Sequence, residues 1–332
     1  MHKIAIDSGP LTSGHAVRGI GVYTKELLKA LKIDGVDTSK ADLSKYDLVH
    51  FTSFKPFEVS LPFSKPKGIK FVLTIYDLIP LIYPKYYPPG VRGWINWRIN
   101  KYLIKKNVDA IITISETSKK DICRFLGVDP NRVFVTYLAA RSMFKKMQIT
   151  QKWRDSWILE DDGKRVPKRF ALYVGDINYN KNIPNLVKAC EIANIPLVIA
   201  GKQAYSIEKM NLNHPELLHL KGVDWSGVIR VGFVPDEVLV ELYNLAAVYV
   251  QPSFYEGFGL PVLEAVSCGT PLAVARSQCM VEVLGDDFAY CDPKDAKSMA
   301  EAILNPNRGK KLPRIYSWEK TGKETLKVYR NV

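Results

Sequence analysis

Nine apolar runs of strand length, alternating with helix-patterned segments from end to end, limit this chain more than any other feature. They fall at residues 3–6, 48–51, 71–75 and 110–114, then at 171–174, 196–200, 228–231, 248–251 and 271–275. Runs this apolar suit strands buried on both faces, and the interleaved helices supply the crossovers that parallel strands need. The polar, tryptophan-containing stretch 151–168 separates the two series. The expected fold is therefore α/β, with two Rossmann-like doubly wound domains at residues 1–160 and 165–312. Ligands in such sheets bind at the carboxyl ends of the strands. Residues 317–329 show helical periodicity after a Pro/Asn/Gly/Lys loop at 306–313 and are expected to form a terminal helix.

A chain of 332 residues is long enough for two full cores. No apolar run approaches the ~18 residues that span a bilayer, and residues 1–6 lead directly into a strand rather than a signal peptide. These readings place the protein in the cytoplasm or at the inner face of the membrane. The five cysteines (Cys123, Cys190, Cys268, Cys279, Cys291) are scattered, with no metal-ligand spacing, and read as reduced core thiols. Net charge is +13 and uneven: residues 1–150 carry 24 Lys and Arg against 12 Asp and Glu, residues 151–332 carry 23 against 22. A basic first half beside a neutral second half points to an anionic partner for the first half alone, such as an anionic membrane surface. Surface lysines that only solubilise would give the same count. Nucleic acid is not expected, because no recognition-helix pattern accompanies the charge.

Chemistry concentrates in the segment Phe254-Tyr255-Glu256-Gly257-Phe258-Gly259-Leu260-Pro261-Val262-Leu263-Glu264-Ala265. Pro261 suits a first helical turn, where its missing N–H costs nothing, and Gly269 suits the left-handed position past a helix end. A helix over 262–267 would point free N–H groups and a partial positive charge at an incoming diphosphate. Gly257 and Gly259 let the backbone approach a ligand closely. With the helix broken before Pro261, Glu256 falls on the loop and Glu264 in the first turn, so both can face one pocket and accept from sugar and ribose hydroxyls. The competing reading is a favourable first-turn charge at Glu264 and a solvated loop residue at Glu256.

This segment resembles the Glu-x7-Glu signature of the retaining glycosyltransferases of family 4, GT-B fold. Other stretches in the same order resemble the family too: Gly19-Ile20-Gly21 its N-terminal glycine loop, Thr74-Ile75-Tyr76-Asp77-Leu78 a strand end that usually carries histidine at position 76, and Ile114-Ser115-Glu116 a turn. Tyr173-Val174-Gly175-Asp176 through Lys181-Asn182 resembles its phosphate segment. Ile199-Ala200-Gly201, Gly232-Phe233-Val234-Pro235 and Ser317-Trp318-Glu319 follow. The resemblance implies a cleft between the two domains and a C-terminal helix, residues 316–332, crossing back onto the first.

It also implies site residues. Donor binding would involve Gly19, Gly21, Gly175, Asp176, Lys181, Lys202, Val234, Gly257, Phe258, Gly259, Leu260 and Glu264. Catalysis would fall to Glu256, Lys181, Asp77 and Tyr76. The arginine that usually accompanies the lysine is missing, with Asp176 and Asn180 where it could stand. Tyr76 is a poor base near neutral pH, its ordinary pKa being about 10, so Asp77 or the substrate phosphate would take the acceptor proton. His50 and His15 are further possible contacts. No Asp-x-Asp pair occurs, which argues for a diphosphate held by lysine and helix N–H groups without a metal. The expectation is a metal-independent, mannosyltransferase-like enzyme with no cofactor. It would move a hexose, mannose from GDP-mannose first and a UDP-linked sugar otherwise, to a saccharide or lipid-linked acceptor. A GT-B sugar-nucleotide epimerase and a non-catalytic module binding anionic lipid or polymer are the rivals.

Overall fold

A computed structural model describes residues 3–12, 14, 19–148, 167–309 and 311–332. Contacts divide the chain into two compact units, Met1–Ala139 with Ile315–Val332, and Ala140–Arg314. The linker expected over 151–168 lies almost wholly outside the described residues, and residues 140–148 group with the second unit.

All nine expected strands form, within a residue at either end, as two entirely parallel sheets. The first contains β1 (Ile4–Ile6), β2 (Leu48–Phe51), β3 (Lys70–Thr74), β4 (Ala110–Thr113) and β5 (Val133–Val135) in chain order. On the open side of β1 a single parallel bridge joins Asp7 to Val36, so the order reverses at β1. The second holds β6 (Ala171–Val174), β7 (Leu197–Ala200), β8 (Val228–Gly232), β9 (Val248–Gln251), β10 (Leu272–Ala275) and β11 (Tyr290–Cys291). Its spatial order is β11-β10-β9-β6-β7-β8. The chain winds outward from β6 through β8, then returns to the other side of β6 with β9. The carboxyl ends of β6 and β9 therefore flank the topological switch point, where doubly wound sheets bind ligands.

The longer helices are α1 (Gly19–Leu31), α2 (Gly90–Asn107), α3 (Glu116–Leu126), α4 (Ile183–Ile192), α5 (Asp236–Leu245), α6 (Leu260–Cys268), α7 (Gln278–Leu284), α8 (Ala296–Leu304) and α9 (Trp318–Arg330). Strand periodicity sorts them. Phe71 and Leu73 join Trp97, Leu103 and Ile104 of α2 and Ile122 and Leu126 of α3, whereas Val72 between them joins Val328 and Tyr329 of α9. The terminal helix thus belongs to the first unit. Ser317 caps it, its side chain accepting from Lys320 N at 3.1 Å.

His50 contributes to that packing rather than to a site. It is fully buried, one ring nitrogen 2.6 Å from the Tyr329 hydroxyl and the other 2.7 Å from Thr74 Oγ1. Burial lowers its pKa to about 3, so the imidazole is neutral and ties α9 to the sheet. His15 lies outside the described residues. Gly19 and Gly21 are not in a loop: they occupy the first turn of α1, Gly19 exposed and Gly21 buried. Among the described residues no helix is long and apolar enough to cross a membrane.

Candidate active site

Two loops meet at the switch point of the second sheet, and asparagines join them. After β6 the chain reaches a short turn at Tyr179–Lys181, closed by Asn182 in the left-handed region with φ 57°. After β9 it runs through Pro252 to Gly259 before entering α6. The Asn180 side chain donates to the Tyr255 carbonyl at 3.0 Å, and its backbone carbonyl accepts from Phe254 N at 2.8 Å. Asn182 donates to the Pro252 carbonyl at 2.9 Å and the Pro293 carbonyl at 2.6 Å. Proline-bounded loop carbonyls have no sheet partner, so buried amide side chains satisfy them and set the spacing of the two loops.

That spacing brings Lys181 onto Glu256. The ammonium is 2.7 Å from Oε1 and 2.8 Å from Oε2, and the carboxylate side chain is 8% exposed. Gln251 Nε2 donates to Oε1 at 2.8 Å and Ser253 Oγ at 2.6 Å, while the Tyr249 hydroxyl, itself buried, donates to Gln251 Oε1 at 2.7 Å. Three donors on one buried carboxylate hold it in one orientation. Lys181, expected to meet a phosphate, and Glu256, expected to meet a sugar, thus meet each other in this structure. Each neutralises the other.

Glu264 differs from expectation in a second way. Helix α6 starts at Leu260, two residues earlier than the spacing suggested, so Glu264 is its fifth residue rather than a first-turn one. Gly259 precedes it at φ 88° and Gly269 follows it at φ 73°. The Glu264 side chain points inward and is 6% exposed; Tyr243 donates to Oε2 at 3.2 Å, and an Arg141 Nη2 lies 3.6 Å from Oε1. Arg141 also pairs with Asp236 at the start of α5. Burial raises the Glu264 pKa to about 7, against the lowering effect of Arg141 and of the Tyr243 hydrogen bond.

Gly259 is a position only glycine fits. A Cβ there would sit 2.5 Å from Met280 Cε in a conformation that side chains rarely adopt. Met280 is fully buried, so the strain and the overpacking add. Gly259→Ala is expected to cost about 3 kcal/mol in chemical denaturation of the second unit. A loss below about 1 kcal/mol would show that the α6 entry can shift.

The remaining second-unit candidates line the same strand ends. Gly175 (φ 144°) presses against Gly201 after β7, where a Cβ would meet the Gly175 carbonyl, and the Asp176 carbonyl accepts from Tyr173 Oη at 2.6 Å. Lys202 is exposed at the start of the short helix Lys202–Tyr205. Val234 is half-buried beside exposed Phe233, and Leu260 is half-buried. Gly257 and Phe258 are buried, the Phe258 carbonyl accepting from Cys279 Sγ at 3.4 Å.

In the first unit Tyr76 and Asp77 follow β3. The Tyr76 hydroxyl donates to the Thr52 carbonyl at 2.8 Å, and its ring lies edge-on to Tyr23 at 5.3 Å. Burial holds its pKa well above the ordinary value, so it is a hydrogen-bond donor and no base. Asp77 Oδ1 accepts from Ile79 N at 3.1 Å, opening the short helix Ile79–Ile82. Among the described residues no three His, Cys, Asp or Glu side chains group so as to hold a metal ion.

Comparison with known proteins agrees with this architecture in both halves. Residues 38–139 match the family described as Glycosyltransferase Family 4, and residues 157–317 match Glycosyl transferases group 1. The chain is a GT-B glycosyltransferase. The enzyme is 28% identical over 282 residues to O-antigen chain mannosyltransferase B of Escherichia coli, covering 78% of this chain and 70% of that one. It is 27% identical over 346 residues to an uncharacterised glycosyltransferase of Methanocaldococcus jannaschii, covering 97% and 83%. Against the serotype-specific mannosyltransferase WbdA of Escherichia coli it is 29% identical over 273 residues, spanning 77% of this chain and only 32% of that protein's length. The crystal structure of Anabaena HepE with UDP and glucose superposes with a TM-score of 0.62 at 13% identity, over 99% of this chain and 95% of that one, a likeness of fold.

The glycosyltransferase's supporting residues were only partly visible in its sequence. Gln251 and Ser253 stand out as polar residues at a buried strand end and could have been noticed. Arg141 could not, since nothing local links it to partners 95 and 123 positions away.

Proposed function

We propose that the enzyme is a retaining mannosyltransferase that takes its sugar from GDP-mannose. The observation that carries this reading is the Lys181–Glu256 pair, set at the switch point beside the entry of α6. On that reading the donor diphosphate displaces Lys181 from Glu256 and settles between its ammonium and the N-terminal turn of α6, while Glu264 accepts from ribose. Glu256, released on one side and still held by Gln251 and Ser253, receives a sugar hydroxyl. The bond from the sugar's anomeric carbon to the diphosphate breaks, and the new bond to the acceptor oxygen forms on the same face. The acceptor's proton leaves with the departing phosphate. Because lysine and helix N–H groups supply the neutralising charge, the transfer is read as metal-independent and cofactor-free. Mannose is favoured by the mannosyltransferases among the relatives. Their O-antigen names favour a saccharide or lipid-linked acceptor of the cell envelope, met at the inner face of the membrane by the basic first half of the chain.

A panel of GDP-, UDP- and ADP-sugars tests the donor, since a ligand bound only by the folded state raises the melting temperature. The GDP compounds are expected to give the largest rise, and transfer from GDP-mannose is expected to persist in EDTA with the anomeric configuration kept. A larger rise with UDP-sugars would reassign the donor. An activity lost in EDTA and restored by magnesium would overturn metal independence. Release of an epimerised nucleotide sugar without acceptor would make the protein an epimerase.

A further inference from the structure

Helix α2 has two faces. Gly93, Trp97, Asn100, Leu103, Ile104 and Asn107 turn inward onto the sheet. The opposite stripe, Val91, Trp94, Ile95, Arg98, Tyr102 and Lys105, follows three-and-four spacing along one side and is exposed throughout. Val91 is 81% exposed, Ile95 54% and Trp94 49%. Side-chain amides lay the preceding loop alongside: Asn96 donates to the Phe57 carbonyl at 3.0 Å, Asn100 to the Glu58 carbonyl at 2.6 Å and Asn107 to the Pro62 carbonyl at 3.4 Å. That loop brings Val59 and Phe63, also exposed, to the same side. Six of the twelve large apolar side chains exposed among the described residues thus belong to one helix and its neighbouring loop. The helix carries five cations (Arg92, Arg98, Lys101, Lys105, Lys106) and no Asp or Glu. The nearest loop acid, Glu58, is paired with Lys55 at 2.9 Å.

We propose that this outward face of α2, with Val59 and Phe63, is the surface by which the protein docks on an anionic lipid bilayer. The inference deepens the membrane contact proposed above and rests on it. Aromatic and aliphatic side chains interleaved with arginine and lysine form the composition that lies in the headgroup region, rings and aliphatic tips inward and cations among the phosphates. A soluble face has no reason to hold Trp94, Ile95 and Val91 in water, where patches of this kind mark interaction surfaces. Charge selects the occupant. A second copy of the face would set cations against cations, whereas an anionic leaflet gains roughly fivefold in partitioning for each lysine or arginine brought to it. The pattern escaped notice in the sequence because α2 is apolar on both sides, which erases the one-sided periodicity of a surface helix.

Co-sedimentation of the full chain with phosphatidylcholine vesicles, with and without phosphatidylglycerol, tests the proposal. Wild-type protein is expected to bind only the anionic vesicles. An Arg98→Ala/Lys105→Ala/Lys106→Ala variant should lose binding by roughly a hundredfold. Trp94→Ser/Ile95→Ser should lose at least roughly tenfold at the same salt. Lys188→Ala/Lys294→Ala/Lys297→Ala, at exposed lysines of the second unit, should bind as wild type. As a check independent of folding in the variants, vesicles should shift wild-type tryptophan emission to the blue and fail to do so in Trp94→Phe, which still binds. Wild-type protein that ignores anionic vesicles removes both the membrane contact and its surface. Binding that survives both α2 variants leaves the contact standing and overturns the surface. Binding to phosphatidylcholine alone, or to a polyanion such as heparin in place of vesicles, overturns the lipid assignment.

Discussion

A Lys181→Ala enzyme is expected to lose roughly 100- to 1,000-fold in turnover at saturating donor, the usual cost of removing a preorganised donor from developing negative charge. It should also unfold at lower denaturant, because Glu256 is left buried with Gln251 and Ser253 but no counter-charge. Removing one member of a fully buried pair costs about 3–5 kcal/mol, and with the Lys181 side chain 23% exposed about 2–3 kcal/mol is the more suitable expectation. Glu256→Gln should behave differently. It keeps an acceptor for Ser253 and relieves the buried charge, so stability should change by less than about 1 kcal/mol while turnover still falls. Steady-state kinetics and urea denaturation of the two variants separate the roles. Turnover within about threefold of wild type in Lys181→Ala would remove Lys181 from the chemistry.

The second large effect is on pH dependence. The Glu264 carboxyl titrates at about 7 instead of 4.5 because it is buried, and Arg141 opposes the rise. If the ionised carboxylate accepts from ribose, nucleotide affinity falls as pH drops below 7, approaching about tenfold per unit. Folding stability runs the other way. A carboxyl whose folded pKa is raised favours its protonated form in the folded state. Its contribution, of order 3 kcal/mol, is present below about pH 4.5 and is lost as pH rises through about 7. Arg141→Met removes the opposing cation, so the affinity transition should move to higher pH and nucleotide binding at neutral pH should weaken. Glu264→Gln should bind nucleotide weakly and with no transition at all. Calorimetric titration with GDP from about pH 6 to about pH 8 measures all three proteins. A pH-independent wild type, or a transition unchanged in Arg141→Met, would break the link between this carboxyl and the nucleotide.

Both predictions depend on partners that local sequence could not show. The Glu-x7-Glu segment announced two acids and a helix start, and Pro261 and Gly269 mark that helix as expected. The inward turn of Glu264 depends on Tyr243 and Arg141, distant in sequence. The meeting of Lys181 with Glu256, 75 positions apart, depends on Asn180 and Asn182, which clamp the loops that follow two strands. The same contrast holds for histidine: His50 resembled a candidate contact until Tyr329, 279 positions later, proved to fill its ring nitrogen.

Strands long enough to bury both faces declare themselves, and all nine such runs became strands. Two further strands, Val133–Val135 and Tyr290–Cys291, were not among those runs and each closes one edge of its sheet. Parallel strands, their helical covering and the helix that begins beside Pro261 and stops before Gly269 were thus determined by sequence alone, because burial period and backbone-restricted residues act locally. Which charges neutralise one another, which acid is buried, and which apolar helix face is left in water were decided only in the tertiary structure. Those outcomes depend on desolvation and on partners far along the chain, and no local pattern encodes either.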